Sequence, residues 1–208
     1  MHPDISRLPS KLFYNAELKD GPGMLEKTVQ PWHKNALFGS YKFFDIAGGR
    51  EQSALSGHSF VNRAECEVAV ALYNRLKKEY SDVDFNFRIG IITMYRAQLL
   101  ELRKKFQAEF GTEIVRNIDF NTVDGFQGQE KDIIILSCVR AGPALDKIGF
   151  LSDQRRLNVA ITRARSSLFI IGSAATLSRS DLLWKNIVQD ARSTSRLMTV
   201  SIVIFSIA

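Results

Sequence analysis

The sequence predicts an α/β domain with a mainly parallel sheet, and three observations carry that prediction. Short β-branched apolar runs alternate with longer stretches of helical periodicity along most of the chain. The run from Ile133 to Val139, IIILSCV, is almost unbroken in its apolar character, as a strand covered on both faces requires. The eleven residues before it, Thr122 to Asp132, hold two glycines, two glutamines, two aspartates and a glutamate. Such a stretch suits a polar loop at a strand end better than any helix or strand interior.

Each element has its own signal. Asp20-Gly21-Pro22-Gly23 reads as a loop. Tyr41 to Ile46 reads as a short strand closed by a turn at Gly48-Gly49, and Ser53 to Ser59 as a polar, flexible connection. Val61 to Tyr80 predicts the first long helix, with Ala64, Val68, Ala71, Leu72 and Leu76 on one face and Arg63, Glu67, Arg75 and Lys78 on the other. Phe87 to Thr93 follows as a buried strand. Tyr95 to Phe110 is the next helix, amphipathic through Leu99, Leu102 and Phe106 and stopped by Gly111. Ile118 to Val123 is a strand leading into the glycine-containing stretch.

Arg155 to Arg165, RRLNVAITRAR, reads as a helix whose buried stripe is Leu157, Ala160, Ile161 and Ala164. Arg156 and Arg163 lie seven residues apart on the border of that stripe, where guanidinium forks point into a crevice and suit phosphate. Ser167 to Gly172 is expected to be the last strand. Asp181 to Arg192 is expected to be the last helix, with Leu182, Leu183, Ile187 and Val188 inward. Ligands of parallel sheets sit beyond the carboxyl ends of strands, and Thr93, Thr122 and Arg140 all lie at such ends.

At 208 residues, with 45% hydrophobic and 24% charged residues, the composition is that of a single globular domain. A net charge of +6 tilts the chain mildly towards anionic partners. The two cysteines, Cys66 and Cys138, sit in apolar runs without CxxC spacing and read as buried thiols in a reducing compartment. His2 reads as structural or exposed. No stretch of about 18 apolar residues indicates a transmembrane helix.

TVDGFQGQEKD (Thr122 to Asp132) and RRLNVAITRAR strongly resemble two consecutive motifs of superfamily 1 helicases, of the senataxin and nonsense-mediated-decay branch. IGIITMYRAQ from Ile89, IGFLSDQRRLNVAITRAR as one unit, and the opening MHPDISRLPSKLFYNAELKDGPG fit as well, so the resemblance covers roughly residues 1 to 192. KDGPGM and YKFFDI look closest to the fungal senataxin homologue. The resemblance implies a RecA-like P-loop NTPase fold for residues 1–196, as the second helicase domain. The family's tyrosine and arginine before the opening triplet are absent, so the chain is expected to start inside a motif. Nothing matches GxxxxGK[ST] or a Walker B element, so the phosphate loop and Mg²⁺ ligands are expected from a first RecA-like domain.

By the same resemblance Arg163 is the finger to the γ-phosphate of ATP, supported by Arg156. Gln127, Gly128 and Glu130 face the nucleotide, Glu130 accepting from a ribose hydroxyl. Thr93 and Thr122 offer hydroxyls to a single strand of RNA or DNA, with Tyr95, Arg96 and Arg140 along the same edge. Asp124 is expected to organise the loop through backbone amides and to contact a 2′-hydroxyl of the strand. The family further implies 5′-to-3′ movement, RNA–DNA hybrids as substrates, transcription-termination and RNA-processing partners, and a nuclear location. Two function classes stay open: a piece of such a motor, inactive alone, or a non-catalytic module binding RNA or protein partners. Residues 197–208 do not fit the family; this apolar tail reads either as a genuine edge strand or, as the favoured reading, a loosely packed product of a truncated or misread gene end.

Overall fold

A computed structural model describes residues 1–54, 59–143 and 145–200. In chain order the elements are α1 (Pro3–Phe13), α2 (Met24–Thr28), β1 (Tyr41–Asp45), β2 (Gln52–Ser53), β3 (Phe60–Val61), α3 (Arg63–Glu79), β4 (Ile89–Thr93) and α4 (Arg96–Phe110). Then follow α5 (Ile114–Asn117), β5 (Asp119–Thr122), β6 (Lys131–Ser137), α6 (Gln154–Ile161), β7 (Ala164–Gly172), α7 (Ala174–Ser180), α8 (Leu182–Ser193) and β8 (Leu197–Thr199). Six strands form one sheet in the order β5-β4-β6-β7-β1-β8, parallel at every pairing. The expected α/β class, RecA-like with a parallel sheet, is what the chain adopts.

Strand periodicity divides the core in two. Ile134, Leu136, Leu168 and Ile170 pack with α1, α6 and α8 on one face. Ile133, Ile135, Phe169 and Ile171 pack with α3 and α4 on the other. Helices on both faces account for the unbroken apolar character of β6. Gly90 in β4 is needed here: a Cβ would stand 2.8 Å from both Ile134 Cδ1 and Phe126 Cζ. The expected connection from Ser53 to Ser59 is flanked by an antiparallel pairing of β2 with β3; residues 55–58 lie outside the described residues.

Four local expectations are corrected. The helix expected to reach Arg165 ends at Ile161, where Thr162 Oγ1 donates to Asn158 O at 2.7 Å and competes with the backbone ladder. Ala164 is buried as expected, but as the first residue of β7 rather than on a helical stripe. Leu182 is 70% exposed because Asp181 caps α8 just before it and the helix turns Trp184, Ile187 and Val188 inward. Nor is β7 the last strand. Leu197–Thr199 of the apolar tail pairs with β1, and Val200 N donates to Asp45 O at 2.9 Å with its side chain buried. Residues 201–208 lie outside the described residues.

Candidate functional site

Each of the two sequence clusters runs from the carboxyl edge of the sheet to its amino edge. β6 leaves the loop at Lys131, which pairs with Ala164 at the start of β7, and Lys131 N donates to Arg163 O at 3.1 Å. Arg163 therefore sits at the amino-terminal edge, while Thr93 and Thr122 close β4 and β5 at the carboxyl edge. Seven residues of β6 separate the two edges by about 20 Å. Thr93, Thr122 and Arg140 thus lie at or just beyond carboxyl ends as expected, whereas Arg163 lies at the opposite edge. The motif helix α6 runs from one edge to the other, so Arg156 in its first turn and Arg163 beyond its end are not neighbours.

At the amino edge the half-buried Arg163 side chain is held by neutral acceptors alone. Nε donates to Val159 O at 3.1 Å, Nη2 to Thr162 Oγ1 at 3.1 Å and Nη1 to Gln129 O at 3.4 Å. Among the described residues no carboxylate neutralises it. Its neighbours differ: Arg165 Nε lies 3.3 Å from Glu130 Oε2, so Glu130 is an exposed ion-pair partner here. Gln127 and Gly128 are exposed in the loop above. Gly128 has φ +84 with open space where a Cβ would be, so its glycine serves the backbone conformation.

At the carboxyl edge the glycine-containing loop is organised by Asn121 and Thr122. Asn121 Nδ2 donates to Gly125 O at 3.0 Å, and Thr122 Oγ1 accepts from Gly125 N at 3.3 Å. A Cβ on Gly125 would stand 2.3 Å from Asn121 Oδ1, so close approach, more than ligand access, demands this glycine. Asp124 does not cap amides as expected; its exposed carboxylate accepts from Arg156 Nε at 2.9 Å. Arg96 is exposed and without an ion pair among the described residues.

Three expected strand contacts are spent inside the fold. Thr93 is buried, and its Oγ1 accepts from Tyr95 N. Tyr95 is also buried, with its hydroxyl donating to Ile148 O at 3.0 Å. Arg140, 7% exposed, pairs with Glu51 Oε2 at 2.7 Å, donates to Lys147 O at 3.1 Å and lies 4.4 Å over the Phe60 ring. These residues shape the edge from beneath rather than presenting groups at its surface.

Two features escaped sequence reasoning. Glu65 in the first turn of α3 is fully buried below the carboxyl edge. Its carboxyl accepts from Val139 N at 2.8 Å, Ser137 Oγ at 2.6 Å and Asn62 Nδ2 at 3.2 Å. Burial pushes it up to about 8 against the pull of those donors. The signal was present: 65, 69, 72 and 76 share one helical stripe with Ala69, Leu72 and Leu76. The second feature is Phe150, an exposed ring in the loop before α6.

Comparison with known proteins identifies the family. Residues 1–175 match the AAA domain family. The chain belongs to that family. It is 46% identical over 196 residues to the helicase SEN1 of Saccharomyces cerevisiae, covering 94% of this chain and 9% of that protein. It is 51% identical over 193 residues to the helicase sen1 of Schizosaccharomyces pombe, covering 93% and 11%, and 38% identical over 192 residues to senataxin of Homo sapiens, covering 92% and 7%. The chain thus spans about a tenth of the length of these three relatives. A solved structure described as the C-terminal domain of a possible DNA helicase from Lactobacillus plantarun aligns over 88% of this chain and 89% of that one, at TM-score 0.45 and 11% identity, too distant to bear on the site.

Proposed function

We propose that this chain is the second RecA-like domain of a 5′-to-3′ RNA/DNA helicase, coupling ATP hydrolysis at its amino edge to single-strand binding at its carboxyl edge. The observation that carries the reading is Arg163. Its guanidinium is half-buried, fixed by three neutral acceptors, and uncompensated by any carboxylate among the described residues. A charge held ready in this way suits the γ-phosphate of ATP, where charge develops during phosphoryl transfer. Gln127, Gly128 and Glu130 lie in the loop whose end meets Arg163, and Glu130 would exchange Arg165 for a ribose hydroxyl. Arg156, tied to Asp124 near the other edge, supports the loop rather than the phosphate.

At the carboxyl edge, Thr122, the loop amides and Arg96 serve RNA, DNA or the single strand of an RNA–DNA hybrid. In this reading the phosphate loop and the Mg²⁺ ligands come from a first RecA-like domain of the same protein. We further infer, from the resemblance of the motifs to the senataxin branch alone, nuclear work in transcription termination and RNA processing, with factors of those processes as partners. No helix among the described residues is long and apolar enough to cross a membrane. The test is a phosphate-release assay on this chain, alone and joined to its upstream first domain. Strand-stimulated turnover by the joined protein alone supports the coupling role. Strand binding by a joined protein that never turns over ATP would favour a non-catalytic binding module instead.

A further inference from the structure

The carboxyl edge presents one side chain whose exposure the fold goes to some length to arrange. Phe150 is 49% exposed in the loop between β6 and α6. That loop is fastened from below at successive residues: Arg140 Nη2 donates to Lys147 O at 3.1 Å, and the Tyr95 hydroxyl donates to Ile148 O at 3.0 Å. Gly149 follows at φ +60, and a Cβ there would stand 2.9 Å from Arg140 Nη1 and 3.2 Å from the Tyr95 hydroxyl. The loop therefore rests directly on those two groups, and the next residue is lifted to the surface. Glu51 fixes Arg140 in turn at 2.7 Å. This is a rigid mount built from buried polar groups, and an apolar residue stands at its tip.

The surroundings of that tip decide what it would meet. The Tyr95 ring centroid lies 5.9 Å from the Phe150 ring at 50°, and Arg156 Cζ lies 5.1 Å over it. Arg156 also joins Asp124, so the mount is tied to the glycine-containing loop at the same edge. Exposed Arg155 and Lys147 flank Phe150 along the chain, each next to or near an exposed carboxylate (Asp153 and Asp146), and exposed Arg96, without an ion pair among the described residues, follows Tyr95. An aromatic ring set among cations matches a nucleobase attached to a phosphate backbone: the ring stacks on the base and the cations meet the phosphates. An apolar peptide segment would gain nothing from the charges, and a free anion nothing from the ring.

We propose that Phe150 is a base-stacking residue for a single strand at the carboxyl edge, and that Tyr95, Arg140 and Glu51 are its positioning residues. This rests on the reading of that edge as the strand-binding one. The experiment compares two fluorescent oligomers of equal length, an oligodeoxythymidylate of about twelve nucleotides and an all-abasic phosphodiester of the same backbone, on the full chain. Phe150→Ala is expected to weaken binding of the thymidylate oligomer about tenfold and leave the abasic oligomer unchanged. Phe150→Trp is expected to keep parent affinity, and its fluorescence should be quenched on binding; Trp32 and Trp184 are fully buried, so that signal belongs to position 150. Equal losses on both oligomers, no loss on either, or an unquenched tryptophan would overturn the stacking role while leaving the strand-binding reading intact. Failure of the parent chain to bind either oligomer would overturn that reading and the stacking role with it.

Discussion

Glu65 makes the stability of this domain depend on pH in a direction opposite to that of most carboxylates. In the unfolded chain it titrates near 4.5, whereas burial raises it to about 8 in the fold. Between these values the folded state holds one more proton than the unfolded state, so stability is fully present below pH 4.5 and is lost as pH rises towards 8. The limiting slope is about 1.36 kcal/mol per pH unit, and levelling near 8 leaves a fall on the order of 1 to 2 kcal/mol between pH 6.5 and 8. Burial lowers His2 and His33, the latter to about 4, so their linkage runs the other way and lies mostly below that window. Glu65→Gln keeps the shape and removes the titration. Urea unfolding of both proteins at pH 6.5 and 8 isolates the term, because every other group cancels in the comparison. The parent should lose on the order of 1 to 2 kcal/mol more than the variant across the window. An equal change in both would mean that the donors from Val139, Ser137 and Asn62 keep Glu65 ionised throughout.

Two further outcomes follow from the same structure. Val200→Asp should destabilise the fold by about 2 kcal/mol or more in the same urea assay, because the side chain is buried in an apolar cluster beside β1; a change within about 0.5 kcal/mol would mean that β8 is dispensable. The isolated chain should release no phosphate from ATP with or without RNA, and turnover above a mock preparation would show that the missing machinery lies within it.

Much of the fold was legible because β6 and its neighbours obey simple rules: buried strands read as apolar runs, and α3 and α4 as amphipathic periods. The end of α6 was not. Ala164 satisfies the helical i+7 position and the inward position of a strand equally, and only the backbone competition at Thr162 separates them. That one boundary moved Arg163 from a helix face to the amino edge. The separation of the two edges was hidden for a related reason, since sequence order does not tell which end of a strand a loop finally meets. Thr93, Tyr95 and Arg140 were read as surface groups because their residue types can bind nucleic acid; their burial depends on Glu51, Phe60 and Ile148, which are distant in the chain. The tail was misjudged over Leu197–Thr199 because its partner, the open edge of β1, exists only after folding.

The central claim is that chemistry belongs to the amino edge and grip to the carboxyl edge. It is tested most directly by measuring ATP turnover and single-strand affinity together, in the chain joined to its first RecA-like domain, for Arg163→Ala and Thr122→Ala. The account predicts that Arg163→Ala lowers turnover by about 10³-fold or more at unchanged strand affinity, and that Arg163→Lys does not restore it because an ammonium lacks the planar fork. Thr122→Ala should instead weaken strand binding by about 1 kcal/mol and blunt the stimulation of turnover by RNA. Equal losses of strand affinity in the two alanine variants, with both folded by thermal melt, would contradict the division of labour between the edges.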